Sequence, residues 1–501
     1  MSFTEKTSLT AEAIPEKDQS TISARRKALP PNVIQRIFIF FITPCHRHPH
    51  DKCKRLSCRN SFPLLLGKIC KEWRNIAWNL PVIWSWINIP VTPDRSDEQL
   101  ELVKDWLQRA KDQPLSIIVR PAPSRSMKVY AKFSPQTPEI FKLIVDYSTQ
   151  WRALEIESTP LLIEFLEPAY GRTPILETVF IHSAETQFTK PTLLAFLGNA
   201  PNLRSLFYLG TNQIGGITYP WTNLTSFRCE SATLAMLKFL CEFAPNVQQL
   251  NLQFKTLSKN QIIDGADPNS GTGQDALSDD RWNLPRHLIS LTITGWITSQ
   301  YVKHMKAPPT LERLTIIQYG KEDLTQYSFN PIIDFIDRAK CTLRAFGISI
   351  EVLPIDVQSL HELFTKLHSV KRLYINSKVT ANYSAMMRQI PRMLDPYPNP
   401  ALSTSTDLDM SRPLLPCLEV LYYCTVDTGL KSQHLIDMIK HRCKGTSNST
   451  GTDIAYGGFV KLKIVRFNKT NPKILLEALQ EEINQGLQMT YDLPYEGEPF
   501  K

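Results

Sequence analysis

One apolar template recurs along most of this chain: a leucine or its equivalent, a second three residues on, and a third two residues beyond. It appears as Trp151/Leu154/Ile156, Leu176/Val179/Ile181, Leu203/Leu206/Tyr208, Leu224/Phe227/Cys229 and Val247/Leu250/Leu252. It continues as Leu288/Leu291/Ile293, Leu311/Leu314/Ile316, Leu343/Phe346/Ile348, Val370/Leu373/Ile375, Leu418/Leu421/Tyr423 and Leu462/Val465/Phe467. The last two apolar positions are two apart, the spacing at which a strand returns side chains to one face. A single copy cannot bury that face by itself, so the copies must stack as an array.

The first positions of successive copies are 25, 27, 21, 23, 41, 23, 32, 27, 48 and 44 residues apart. Most intervals match one strand plus one helix per unit, the period of a leucine-rich repeat. Between strands, Leu193/Leu194/Leu197, Leu234/Leu237/Cys241, Leu360/Leu363/Phe364/Leu367 and Leu435/Met438/Ile439 fit short helices. The expected fold is therefore α/β: an irregular leucine-rich-repeat-like solenoid over 146–485, with parallel strands concave and helices outside. An unrelated α/β domain with leucine-bearing strands is the other reading. Residues 264–280, 391–413 and 444–458 are rich in Gly, Asp, Ser or Pro and read as flexible excursions. A C-terminal tail is expected over 486–501.

Within each copy, the residue between the last two apolar positions points away from the core. That row reads Phe180, Phe207, Arg228, Asn251, Thr292, Thr315, Gly347, Tyr374, Tyr422 and Arg466. Aromatic and arginine side chains are frequent interface anchors, so Phe180, Phe207, Arg228, Tyr374, Tyr422 and Arg466 are candidates for binding a protein substrate. Cross-strand packing would use the same side chains equally well.

The stretch ahead of the array has a different period. Ile34, Ile37, Phe38 and Phe41 occupy i, i+3, i+4 and i+7 of an amphipathic helix that Leu29-Pro30-Pro31 starts. Leu66, Ile69, Cys70, Trp73 and Ala77 repeat that spacing, and Leu80-Pro81-Val82-Ile83-Trp84 follows. Beyond it, Leu100, Val103, Leu107 and Ala110 mark a further helix, and 114–119 a buried strand. The segments are a tail over 1–27, a helical module over 28–90 with an insertion at 43–62, and a linking helix–strand region over 91–145. About 60 residues in short helices bury too little to be stable alone, and Ile39, Phe40 and Ile42 extend the apolar surface beyond one face. Surplus apolar surface of this kind implies a partner.

Leu29-Pro30, the pair Ile37-Phe38, the run Cys70-Lys71-Glu72-Trp73-Arg74 and Leu80-Pro81-Val82-Ile83-Trp84 together resemble the F-box, and the whole chain is similar to fungal F-box proteins with a C-terminal leucine-rich-repeat domain. Asn32 stands where an acidic residue is common, and the helices are further apart than in a compact F-box. The resemblance implies a non-catalytic receptor of an SCF-type ubiquitin ligase. Its module docks a Skp-type adaptor and through it a cullin, and its repeats hold a protein substrate. Carried over by position, the adaptor-binding residues are Leu29, Pro30, Ile34, Ile37, Phe38, Leu66, Ile69, Cys70 and Trp73. A non-ligase leucine-rich-repeat scaffold, in which the module caps the solenoid, is the alternative.

Other classes find little in the sequence. The 501 residues, 42% of them hydrophobic and 21% charged, suit a soluble chain of two or more domains. The longest apolar run, 37–42, is too short to span a bilayer, and no signal-like segment opens the chain. A net charge of +9 with no basic stripe interleaved with aromatics makes nucleic acid a minor expectation. Ten scattered cysteines suit reduced thiols in the cytoplasm or nucleus. Cys45, His46, His48, His50, Cys53 and Cys58 could supply zinc ligands, but no paired C-x-x-C is present and a solvated loop explains them more simply. No phosphate-binding, nucleophile-elbow or metalloprotease motif is present, so neither catalysis nor a cofactor is expected.

Overall fold

The computed structural model describes residues 29–42, 62–91, 96–121, 137–158, 163–183, 192–210, 214–215, 221–254, 282–295, 302–303, 305–318, 328–350, 356–377, 390–397, 414–425, 433–444, 459–467 and 472–490. They divide into two compact units. One holds the described residues up to Ile89 together with Asp97–Leu115, and the other holds Pro90–Ser96 and the chain from Ser116 onward. Among the described residues the main sheet has fourteen strands.

The helical unit contains α1 (Pro31–Ile42), α2 (Phe62–Ile69), α3 (Lys71–Trp78) and α4 (Ser96–Ala110), with a 3-10 turn at Pro81–Trp84. Pro31 opens α1, as its fixed φ and missing N–H allow. The helix expected in a linking region, α4, shares the unit with α1–α3. Its Trp106 indole N–H donates to the Trp84 carbonyl at 2.9 Å, and the rings of Trp84 and Trp106 meet edge-on at 4.9 Å. Arg109 lies over both Trp78 and Trp84, each at 5.2 Å. Tryptophans spaced apart in sequence thus form one cluster, in which Trp84 and Trp106 are buried with their indole N–H groups bonded to the carbonyls of Ala77 and Trp84.

The second unit is an α/β solenoid. All eleven template copies form strands, from Trp151–Ser158 and Thr178–Ser183 through to Val420–Thr425 and Ile464–Phe467. The strands pair in parallel and in chain order. Because such crossovers are right-handed, strands added in one direction place every connection on the same face. Leu314, Ile316, Phe346, Ile348, Leu373, Ile375, Leu421 and Tyr423 point to that face and are buried. The template residues are in register throughout, with Leu291 beside Leu314, Phe346, Leu373, Leu421 and Val465 in turn.

Two ladders stitch the copies ahead of the strands. In the backbone ladder, Glu177 N donates to Arg152 O, Arg204 N to Glu177 O and Thr225 N to Arg204 O, and the pattern runs on to Lys463 N and Glu419 O. In the side-chain ladder, Asn202, Asn223 and Asn246 each donate Nδ2 to a carbonyl of the preceding copy, at 2.7, 2.6 and 2.7 Å. Thr310 and Ser369 make the same kind of bond further along. These bonds satisfy turn carbonyls that the sheet cannot reach.

Three expectations are corrected in the second unit, and in the first the single helix expected from Leu66 to Ala77 is two, α2 and α3, because Cys70 is extended and caps α3. The helix expected at Leu193, Leu194 and Leu197 is a single 3-10 turn, Ala195–Leu197, preceded by a two-residue strand, Thr192–Leu193, that pairs with Ile214–Gly215. That pairing holds Leu193 extended and leaves one turn's length for a helix. The expected C-terminal tail begins with a strand, Gln488–Thr490, parallel to Ile464–Phe467. Its signal was hidden because Gly486 occupies the register position of the template's first leucine.

The third correction concerns 391–413, whose first residues are packed. Ile390, Met393 and Leu394 are buried. Arg442, fully buried on the helix Gln433–Lys444, donates Nε to Leu394 O at 2.7 Å, one terminal nitrogen to Leu415 O at 3.1 Å and the other to Leu414 O. One guanidinium thereby gathers the ends of a long interval, because its fan of donors can serve three separate carbonyls. Residues 264–280 and 445–458 lie outside the described residues, as do the 1–27 tail and the Cys/His loop.

Candidate docking surfaces

The helical unit sorts its apolar side chains between two directions. Ile34, Phe38, Leu66, Ile76 and Ala77 are buried, and Phe38 meets Trp73 edge-on at 5.0 Å. Facing away from that core, Phe40 is 77% exposed and Ile69 60%, and Leu29, Val33, Ile39 and Leu65 are each more than a third exposed. Val33 and Phe40 are seven apart on α1 and Leu65 and Ile69 four apart on α2, so each helix carries a solvent-facing apolar stripe beside its core-facing one.

The turn between α2 and α3 is built by three polar groups. Cys70 has extended backbone at φ −158°, and its Sγ accepts from Trp73 N at 3.4 Å, serving as N-cap of α3. Arg74 Nε donates to Gly67 O at 2.7 Å, occupying a carbonyl in the last turn of α2 that has no helical partner. The Trp78 ring fills the space that a Cβ at Gly67 would need. The Cys-x-x-Trp-Arg run is thus a cap, a core contact and a carbonyl clamp in five residues, and it holds Ile69 and Cys70 outward.

The nine residues matched for adaptor binding therefore divide. Leu29, Pro30, Ile69 and Cys70 are exposed, Ile37 and Trp73 are half-buried, and Ile34, Phe38 and Leu66 form the unit's own core. Val33 and Leu65 are exposed apolar residues that the family pattern does not single out. Helical spacing locates an apolar arc but does not say which part of it another helix covers.

In the second unit the candidate row is a continuous rung across the sheet. Pairing places Glu155, Phe180, Phe207, Arg228 and Asn251 side by side, then Thr292, Thr315, Gly347, Tyr374, Tyr422, Arg466 and Thr490. Phe180 and Phe207 have ring centroids 6.1 Å apart, Tyr374 and Tyr422 are 6.2 Å apart, and the Arg466 guanidinium lies 5.0 Å over Tyr422. Phe180, Tyr374 and Tyr422 are buried, the two tyrosines in a cluster with Ala345, Val420 and Cys424. Phe207, Arg228 and Arg466 keep partial exposure. At the first end, Arg120 and Glu155 pair at 2.6 Å. Burial raises the Glu155 carboxyl above its ordinary range despite the opposing pull of Arg120. Sequence reasoning missed Glu155 and Thr490, which extend the row on either side.

Among the described residues no group of three or more His, Cys, Asp or Glu side chains could hold a metal, and no helix is long and apolar enough to cross a membrane.

No family model matches the chain, and no curated protein matches it. Among solved structures it is similar to a chain in the crystal structure of the yeast Rad7 and Elc1 complex. The identity is 13% and the TM-score 0.28, covering 81% of this chain and 90% of that one.

Proposed function

We propose that this chain is an F-box-type substrate receptor of an SCF ubiquitin ligase, with the helical unit docking a Skp-type adaptor that connects to a cullin, and the solenoid holding a protein substrate. The observation that carries the reading is the outward apolar stripe of α1 and α2. Six of the eleven exposed large apolar side chains among the described residues stand between Leu29 and Ile69. A small module that leaves so much apolar surface in water fits a permanent partner. The motif residues Cys70, Trp73 and Arg74 support it by fixing the turn that presents Ile69.

Mechanistically the receptor acts by proximity. A bound target's lysine meets activated ubiquitin at a raised effective concentration, and this chain contributes no catalytic group and no cofactor. Target contact is assigned to the partly exposed Phe207, Arg228 and Arg466, with Phe180, Tyr374 and Tyr422 packed behind them. The protein works in the cytoplasm or nucleus, where its cysteines stay reduced.

The test is co-purification of the full-length chain with adaptor and cullin. Phe40→Asp with Ile69→Asp is expected to abolish recovery of both while the chain stays folded, and Leu29→Ala with Pro30→Ala to reduce it. Unaltered recovery in both variants rejects the docking assignment. Recovery of a partner without any cullin instead identifies a non-ligase scaffold.

A further inference from the structure

The turns that enter the last strands carry an uneven share of charge. The charged residues of the five segments 308–313, 340–345, 367–372, 414–420 and 459–464 are Arg313, Lys340, Arg344, Lys371, Arg372, Lys461 and Lys463 against Glu312 and Glu419, so seven basic and two acidic side chains leave an excess of five. The whole chain has a net charge of +9, so this rim holds more than half of it.

Five of these residues, Glu312, Arg344, Lys371, Glu419 and Lys463, are neighbours from strand to strand. Arg344 N donates to Glu312 O, Lys371 N to Arg344 O, Glu419 N to Lys371 O and Lys463 N to Glu419 O, which sets them one strand apart in turn. Both acids are already engaged. Glu419 lies 3.6 Å from Lys371 and 2.9 Å from Lys463, and Glu312 lies 3.8 Å from Arg344. The Lys463 hydrogen bond, with Lys371 beside it, holds the Glu419 carboxyl below its ordinary range, the mark of a local positive field. Arg372 and Lys461 are exposed beside this ladder.

We propose that this rim binds an acidic segment of a partner protein. Five parallel strands at about 4.8 Å spacing span about 19 Å, the reach of about six extended residues at about 3.3 Å each. Single-stranded nucleic acid fits less well, because it is held by bases stacked on exposed aromatic rings. None of the exposed large apolar side chains stands in these turns. The surface lies wholly in the solenoid and does not depend on adaptor docking.

The test titrates the full-length protein with a fluorescent octa-glutamate peptide, an octa-glutamine control and an oligothymidylate. Saturable, salt-sensitive binding of the glutamate peptide alone is expected, weakened about tenfold or more by Arg372→Glu with Lys461→Glu. The milder Arg372→Gln with Lys461→Gln is expected to fall between, with circular dichroism confirming that each variant is folded. The proposal is overturned by absence of saturable peptide binding, by equal binding to the folded reversed variant, or by tighter binding of the oligothymidylate.

Discussion

The Arg74 side chain donates from Nε to the Gly67 carbonyl at 2.7 Å, tying the last turn of α2 to the first turn of α3. The Trp78 ring of α3 also packs over Gly67, so the two helices meet at a residue with no side chain. Gly67→Ala must displace that ring, which meets Trp84 edge-on at 5.4 Å. A loss of about 1–3 kcal/mol is expected from such overpacking. Hydrogen exchange localised to α2 and α3 of the full chain measures it.

Phe38 and Phe40 are two residues apart on one helix and serve opposite ends. Phe38 is buried against Trp73, and its replacement by Ala is expected to cost about 3–5 kcal/mol. Phe40 is mostly in water, and Phe40→Ser is expected to change stability by less than about 0.5 kcal/mol while weakening adaptor recovery. Urea unfolding beside co-purification separates the two effects.

Arg442→Lys retains the charge but cannot span three carbonyls. Leaving buried acceptors on Leu394, Leu414 or Leu415 without a donor is expected to cost at least about 2 kcal/mol. The loss should appear as faster amide exchange in 390–397 and 414–418 together, since one side chain holds both. Protection in those segments unchanged from the parent protein contradicts this role.

Glu419 predicts an acid-side dependence. Its folded value lies below its unfolded one, so its contribution is present above the unfolded carboxylate range and is lost as pH falls through the folded value. Glu419→Gln should flatten that part of the profile by less than about 1 kcal/mol, because both lysines are well exposed. Glu155 runs the other way: its raised value gives a contribution present below the unfolded range and lost as pH rises through the folded one. Urea midpoints of the parent and both Gln variants, from about pH 6 to about pH 3, read both signs.

Thiol labelling distinguishes the cysteines. Burial pushes the Cys241 thiol up to about 12 and the Cys443 thiol up to about 11, with Glu482 adding to the latter, so both should resist alkylation near neutrality. Cys70 is exposed and should react before either, and bound adaptor should protect it. Peptide mapping after iodoacetamide treatment, with and without adaptor, provides the readout.

All eleven repeated strands and the helices α1 and α4 were legible because their signal is local. A strand repeats every two residues and a helix every 3.6, so each shows within one short window. For the same reason Ile34, Phe38 and Val33 could be placed on α1 but not sorted, since their separation into core and surface depends on α3 and the Trp73 ring. The packed turn at 390–397 stayed hidden under a composition of Pro, Asp and Ser, because its partner Arg442 is some fifty residues away. The last strand lacked a leading leucine and took its place only through pairing with Ile464–Phe467.

The linear order of apolar residues, by itself, determined that this chain is an α/β repeat array behind a helical module, since periodicity dictates which face each element must bury. Tertiary structure alone decided which apolar side chains remain in water on α1 and α2, which rung residues are closed, and which rim charges gather. Those outcomes depend on neighbours distant in sequence, whose contact is set by packing and strand register.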